Sequence, residues 1–328
     1  MKVLVRFPNW VGDMVLATPF IRTLHEALPA ADIIAAGRRP SIDLIYENPY
    51  ISKIHVIRNR GLQEAKIMRS EGPFDFGFVL PPSFSSALFL KVAGAEIRVG
   101  YATDNRGMLL THPVPVPDHP VHRATSFIEL IGYLVKPAPE EVYGTEIYLV
   151  DKDFEKVNPI IKDVPRPIVV LNPNSEAPAR RWPPIRWIEL GKALIQKDIT
   201  PIFIGSSFDV SRVSRIVKEI GDPRAINVAG KLNIRELAAL LSLADVVVSN
   251  DTGPMHIAYT VGTKTIALFG AGDERITGPY KAPHAQVVRA TDIDCEPCQK
   301  NYCPLGHKKC MWAITVEMVM DKLLEMLG

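Results

Sequence analysis

Asp13 closes the stretch Asn9-Trp10-Val11-Gly12-Asp13, which separates a short apolar run from a segment with helical spacing. Gly12 lets the backbone turn sharply. A carboxylate at the start of a helix accepts free backbone N–H groups, and the helix dipole favours its charged form. Asp13 is therefore either a plain helix cap or an ionised general base at the mouth of a cleft. A second polar loop spans residues 171–183 and holds Asn174, Ser175, Arg180 and Arg181. The guanidinium fork takes two phosphate oxygens at once, although an adjacent arginine pair also suits a solvated surface. Trp182-Pro183 anchors this loop by burying a ring beside a rigid turn.

A third loop, residues 249–256, joins an apolar strand to a helix. Thr252 and Gly253 fall at that helix's N-terminus, where outward N–H groups favour anions. Asp251 stands beside this anion site, so sugar hydroxyls suit it better than phosphate. His256, about one turn in, either reaches the same place or is a satisfied core histidine. In the fourth loop, Gly205–Asp209, Asp209 either accepts from a ribose diol or caps a helix. Residues 270–275 begin like a dinucleotide fingerprint, but Arg275 stands where the third glycine belongs. All four cysteines fall in one segment, Cys295-x2-Cys298-x4-Cys303-x6-Cys310. Reduced thiols so close together suit either a structural tetrahedral zinc site or plain free thiols.

Elements of regular spacing must hold these loops. Strand-like runs (Val3–Phe7, Asp32–Ala35, Ile54–Ile57, Phe76–Leu80) alternate with helical patterns. The alternation restarts at Pro167–Leu171 and continues through Ile199–Ile204, Asp245–Ser249 and Thr265–Phe269. Such alternation predicts parallel sheets covered by helices, with ligands beyond the carboxyl ends of the strands. Helices are expected over Met14–Leu28 (Pro19 kinking it), Pro184–Lys197, Phe208–Ile220, Asn233–Ala244, Pro254–Val261 and Ala313–Leu327. Prolines punctuate residues 136–167, so the chain divides into 1–155 and 156–328, the closing helix 313–327 returning to pack on the first part.

Composition narrows the function. The chain has 328 residues, 47% of them hydrophobic, enough for two cores. The net charge is +2, with 15 Lys and Arg against 15 Asp and Glu in residues 1–150. Neither part is a basic module, which argues against nucleic acid as a partner. No run approaches the roughly 20 apolar residues of a membrane span, and the N-terminus has no signal-like stretch, so a cytoplasmic monomer is expected.

The segments at 9–19, 79–101, 180–183, 204–207 and 249–270, taken in order, resemble glycosyltransferase family 9, the lipopolysaccharide heptosyltransferases. The first and third loops are most similar to the members that add the second inner-core heptose. The resemblance implies an α/β fold of GT-B type, with two Rossmann-like doubly wound parallel-sheet domains facing a cleft. It implies an acceptor on the N-terminal domain and ADP-heptose on the C-terminal one, inverting transfer, and no metal cofactor. Asp13 then matches the general base. Asn174, Ser175, Arg180, Asp209, Asp251, Thr252, Gly253 and His256 match the donor site. For the acceptor, a lipid-anchored anionic Kdo- and heptose-bearing core, we expect contacts from Trp10, Ser83, Ser85, Arg98 and Arg106. Such an acceptor implies peripheral contact with the inner membrane. An acceptor of the first-heptose type, or a nucleotide-sugar epimerase of similar architecture, is the alternative.

Overall fold

The computed structural model describes residues 1–58, 61–135 and 143–328. It divides into two compact units, Met1–Tyr148 and Leu149–Gly328.

The first unit runs β1 (Lys2–Arg6), α1 (Val11–Leu16), α2 (Thr18–Ala27), β2 (Asp32–Gly37), β3 (Lys53–Val56), α3 (Gly61–Arg69), β4 (Phe74–Val79), α4 (Phe84–Ala93), β5 (Ala95–Tyr101), β6 (His112–Val114) and α5 (Arg123–Glu129). Its six strands lie in the order β3-β2-β1-β4-β5-β6, every pair parallel. Val3, Leu4 and Val5 are fully buried, as a central strand covered on both faces requires. The helix expected over 14–28 is two helices that meet at Ala17. Pro19 falls in the first turn of α2, where its missing N–H costs nothing. The Thr18 hydroxyl donates to the Val15 carbonyl at 2.7 Å across the break.

The second unit runs α6 (Asp151–Phe154), α7 (Asn158–Ile161), β7 (Ile168–Asn172), α8 (Pro184–Gln196), β8 (Thr200–Phe203), α9 (Val210–Ile220), β9 (Ile226–Asn227), α10 (Ile234–Ser242), β10 (Val246–Asn250), α11 (Gly253–Thr260), β11 (Lys264–Leu268), α12 (Glu274–Thr277), β12 (Ala285–Val288), α13 (Lys309–Trp312) and α14 (Val316–Leu327). Its sheet is β12-β11-β10-β7-β8-β9, again all parallel. Counted from its own first strand, this is the strand order of the first unit and the doubly wound dinucleotide-fold order. In each sheet the order reverses at one place, between β1 and β4 and between β7 and β10. Ligands bind beyond the carboxyl ends of strands at such reversals.

Two expectations need correction. The division falls seven residues before the expected 155/156 boundary. Glu146 belongs to the first unit, because its N–H donates to the Thr18 hydroxyl at 3.0 Å and its carboxylate lies 3.8 Å from Arg22. Asp153 belongs to the second, paired with Arg235 at 2.5 Å. The earlier part of the expected linker, 136–142, lies outside the described residues. The closing helix α14 buries Val319, Met320, Leu323 and Met326 in the core of its own unit, against α8, β10 and β11.

Candidate functional site

The carboxyl end of β7 and that of β10 carry polar residues on strands that are otherwise apolar. Asn172, Asn174, Ser175, Ser249, Asn250 and Asp251 are all buried there. Buried polar groups must find partners. Asn172 donates its side-chain amide to the Ser249 hydroxyl at 2.9 Å. Asn250 accepts from the Trp182 N–H at 3.0 Å and donates to the Asn174 carbonyl at 3.3 Å. This network fixes the loop after β7 against the loop after β10. Trp182 is itself 1% exposed, its indole N–H donating to the Ile314 carbonyl.

Arg180 and Asp251 meet across this junction. Arg180 Nη1 lies 2.9 Å from Asp251 Oδ2, and the Asp251 side chain is 2% exposed. Arg180 Nε is buried and has no hydrogen-bond partner among the described residues. The Asp251 carboxylate fits because residue 272 is glycine: a Cβ there would stand 2.1 Å from Asp251 Oδ2. The second glycine of the incomplete fingerprint thus makes room for an acid. Thr252 is extended and precedes α11, which opens at Gly253; Pro254 has no N–H and the Met255 N–H donates back to the Thr252 carbonyl at 3.0 Å, so of these first three positions Gly253 alone offers an N–H beside this pair. His256 is buried and shares a 2.9 Å hydrogen bond between Nδ1 and the Tyr259 hydroxyl. It is the satisfied core histidine of the two readings.

Asp209 is held on both oxygens. It accepts from the Ser206 N–H and hydroxyl at 3.1 and 2.6 Å and from Arg212 at 2.8 Å. It closes a capping box at the turn into α9, the cap reading of this residue. Arg212, which sequence reasoning missed, also donates to Asn174 Oδ1 at 3.2 Å. Burial and the neighbouring Arg212 push the Arg181 guanidinium below its ordinary value. Arg180, Arg181 and Arg212 border the loop after β7, with Asp251 paired to Arg180 and Asp209 paired to Arg212.

In the first unit the reversal point is more open. Asp13 lies in the first turn of α1, and Trp10 is the capping residue, so Asp13 is no plain cap. Its Oδ1 lies 3.7 Å from Arg123 Nε, with the two side chains 31% and 41% exposed. Trp10 is 65% exposed. Ser83 shares hydrogen bonds with Ser85 and Ser86 at the start of α4.

Arg98 and Arg106, expected at the acceptor, have other work. Arg98 donates to the carbonyls of Leu109, Ala95 and Glu96. Arg106 is 0% exposed and donates to the carbonyls of Tyr101 and Pro81, burial pushing its guanidinium down to about 10. Both brace backbone and are not presented to a ligand here.

The chain matches the glycosyltransferase family 9 (heptosyltransferase) description over residues 66–309. It belongs to that family. It is 27% identical to lipooligosaccharide heptosyltransferase 2 of Campylobacter jejuni over 98% of this chain and 97% of that one. It is 27% identical to lipopolysaccharide heptosyltransferase 2 of Escherichia coli over the same shares. Among solved structures, Escherichia coli ADP-heptose lps heptosyltransferase II superposes with a TM-score of 0.85 at 24% identity, covering 100% of this chain and 98% of that one. The glycosyl transferase family 9 protein of Veillonella parvula superposes with 0.88 at 22%, covering 99% and 97%. The expected α/β class, two doubly wound parallel sheets, is the fold, and the protein is a glycosyltransferase.

Two further features of this family member lie outside the loops named so far. Arg6, at the end of β1, is buried and holds Asn9 at 2.7 Å. Burial and the nearby Arg38 push its guanidinium down to about 10. A charged residue ending an apolar strand was the available signal for it. The four cysteines, all free, line one cavity together with His307. As the side chains stand, no three His, Cys, Asp or Glu among the described residues are gathered to hold a metal. No described helix is long and apolar enough to cross a membrane.

Proposed function

We propose that the chain transfers heptose from ADP-heptose to the inner core of lipopolysaccharide, adding the second heptose with inversion. The observation that carries this reading is the junction of Arg180, Asp251 and the opening turn of α11 at the reversal point of the second sheet. A nucleoside diphosphate leaving group gains negative charge as the glycosidic bond breaks. The Gly253 N–H and a guanidinium fixed beforehand stabilise that charge without reorganising. Arg180 supplies the fork and Asp251 holds it in place. Asn174 and Ser175 stand beside the phosphates, and Asp209 with Arg212 stands where dinucleotide folds bind a ribose. His256 is bonded to the Tyr259 hydroxyl within α11.

Asp13 accepts the proton of the attacking acceptor hydroxyl. Arg123 lies 3.7 Å from it, and it stands in the first turn of α1. Trp10, Ser83 and Ser85 offer a stacking face and hydroxyls to acceptor sugars. Because cationic groups carry the leaving diphosphate, turnover is expected to be the same with and without added Mg2+. The names of the relatives, heptosyltransferase 2 in Campylobacter jejuni and Escherichia coli, support the second-heptose choice.

Mass spectrometry and NMR of the product test the reading. The expected product is the heptosylated core carrying one more heptose of inverted anomeric configuration. A retained configuration would rule out direct displacement by an Asp13-activated hydroxyl. An altered nucleotide sugar with no acceptor consumed would point to an epimerase.

A further inference from the structure

The donor-site loops rest on a segment that the transfer chemistry does not use. Residues 289–308, between β12 and α13, form no helix or strand. Irregular stretches of that length are uncommon inside compact domains unless something fastens them. This one presents Tyr302 and Leu305 to solvent at 74% and 62% exposure, so apolar burial does not hold its tip. Inside it, Cys295, Cys298, Cys303 and Cys310 line a single cavity of about 20 Å3. A space of that size takes one water or one ion. Residues 303–308 form a turn in which the Gly306 N–H donates to the Cys303 carbonyl at 3.1 Å. Gly306 and Lys308 make that turn with left-handed φ values of 71° and 49°.

The same segment is fastened to both donor loops. The Ala179 N–H, one residue before Arg180, donates to the Asn301 carbonyl at 2.9 Å. The Gln299 N–H donates at 2.7 Å to the carbonyl of Ala271, the neighbour of the Gly272 that admits Asp251. At Gly270 a Cβ would stand 3.1 Å from the Cys310 sulfur.

We propose that Cys295, Cys298, Cys303 and Cys310 hold one zinc ion, and that the loaded site positions the loops carrying Arg180 and Asp251. Four sulfur ligands with no open position suit tetrahedral Zn2+ in a structural role. As the side chains stand, no three of these groups are gathered round one point among the described residues, and the four thiols share the lining of the one cavity. Metal binding displaces the thiol protons, and the bond energy becomes folding energy for the segment.

Metal analysis of the full-length chain, purified without chelator or added metal, tests this. About one zinc per chain is expected. Cys298→Ser and Cys303→Ser should each lose it, whereas His307→Ala should keep it, which separates a four-cysteine set from one using the imidazole. Displacing zinc with a mercurial should release it to a colorimetric chelator and weaken ADP binding at least about tenfold, since small misplacements of a positioning loop cost that much. A metal-free wild-type chain with four freely reactive thiols would overturn the proposal. A disulfide among these cysteines would do the same, and iron in place of zinc would overturn the choice of ion. Unchanged ADP affinity after zinc release would overturn the positioning role. Zinc content is read without donor or acceptor, so its failure leaves the transfer reading standing, and a zinc-loaded chain inactive in transfer fails that reading alone.

Discussion

The two sheets share one strand order, yet their reversal points are built differently. In the second unit, Asn172, Asn174, Ser249, Asn250 and Asp251 are buried and bonded to one another or to Trp182, Arg180 and Arg212. In the first, Trp10 is exposed and Asp13 half-exposed beside Arg123. A buried, satisfied polar network resists rearrangement, because breaking any member leaves another unpaired. It suits a ligand of fixed shape and charge, a nucleoside diphosphate. An open rim suits a large acceptor and a side chain that must exchange a proton. The same fold thus yields a buried, bonded polar network in one copy and an open rim with a half-exposed carboxylate in the other.

The strongest test of that contrast is Asp13→Ala. Turnover should fall about 10³- to 10⁴-fold, the range for loss of a general base, while ADP affinity measured by calorimetry stays within about twofold. A large loss of ADP affinity would break the division of labour. Arg180→Ala comes next. Loss of a preorganised donor costs about 10²- to 10³-fold in kcat. It also leaves the buried Asp251 carboxylate without its guanidinium, so the melting temperature should drop as well. A variant with normal kcat would remove Arg180 from the leaving-group site.

The Asp153–Arg235 pair ties the start of the second unit to α10. Burial pushes the Asp153 carboxyl up, but hydrogen bonding to Arg235 outweighs it and holds the group below the usual carboxylate range. Its stabilisation is therefore present above the unfolded value, near 3.9, and lost as pH falls through the lower folded value. Asp153→Ala should cost about 3 kcal/mol in urea unfolding at pH 7. The difference from wild type should shrink below about pH 3.5. A difference that does not change with pH would contradict the ion-pair account. Trp10→Ala is the mildest. It should leave stability within about 0.5 kcal/mol, as an exposed ring predicts, and raise KM for the acceptor without changing KM for the donor. A shift in donor KM would place Trp10 with the other unit's ligand.

The positions of the loops were legible because polar residues interrupt apolar strands at Asn172 and at Ser249–Asn250. The strand order was not, since parallel pairing leaves no mark in local spacing. Arg106 misled because a charge in sequence does not reveal burial. The signal was nearby: Pro81-Pro82 has carbonyls but no N–H groups, so a donor from elsewhere must satisfy that turn, and Arg106 does so. Arg212 went unnoticed because it sits inside a helical pattern where arginine is ordinary. The Asp251 pocket depends on Gly272, 21 residues away, a juxtaposition only the pairing of β10 with β11 creates. Glu146 and Asp153 drew the unit boundary through side-chain bonds rather than through the prolines.

The central claim is that the second unit holds ADP-heptose and the first activates an acceptor hydroxyl. The most direct measurement is ADP release from the purified chain given ADP-heptose with no acceptor, with the unheptosylated core, or with the singly heptosylated core. Release only with the singly heptosylated core is the expected result. Release with the unheptosylated core alone would contradict the second-heptose assignment, and release independent of any acceptor would contradict transfer itself.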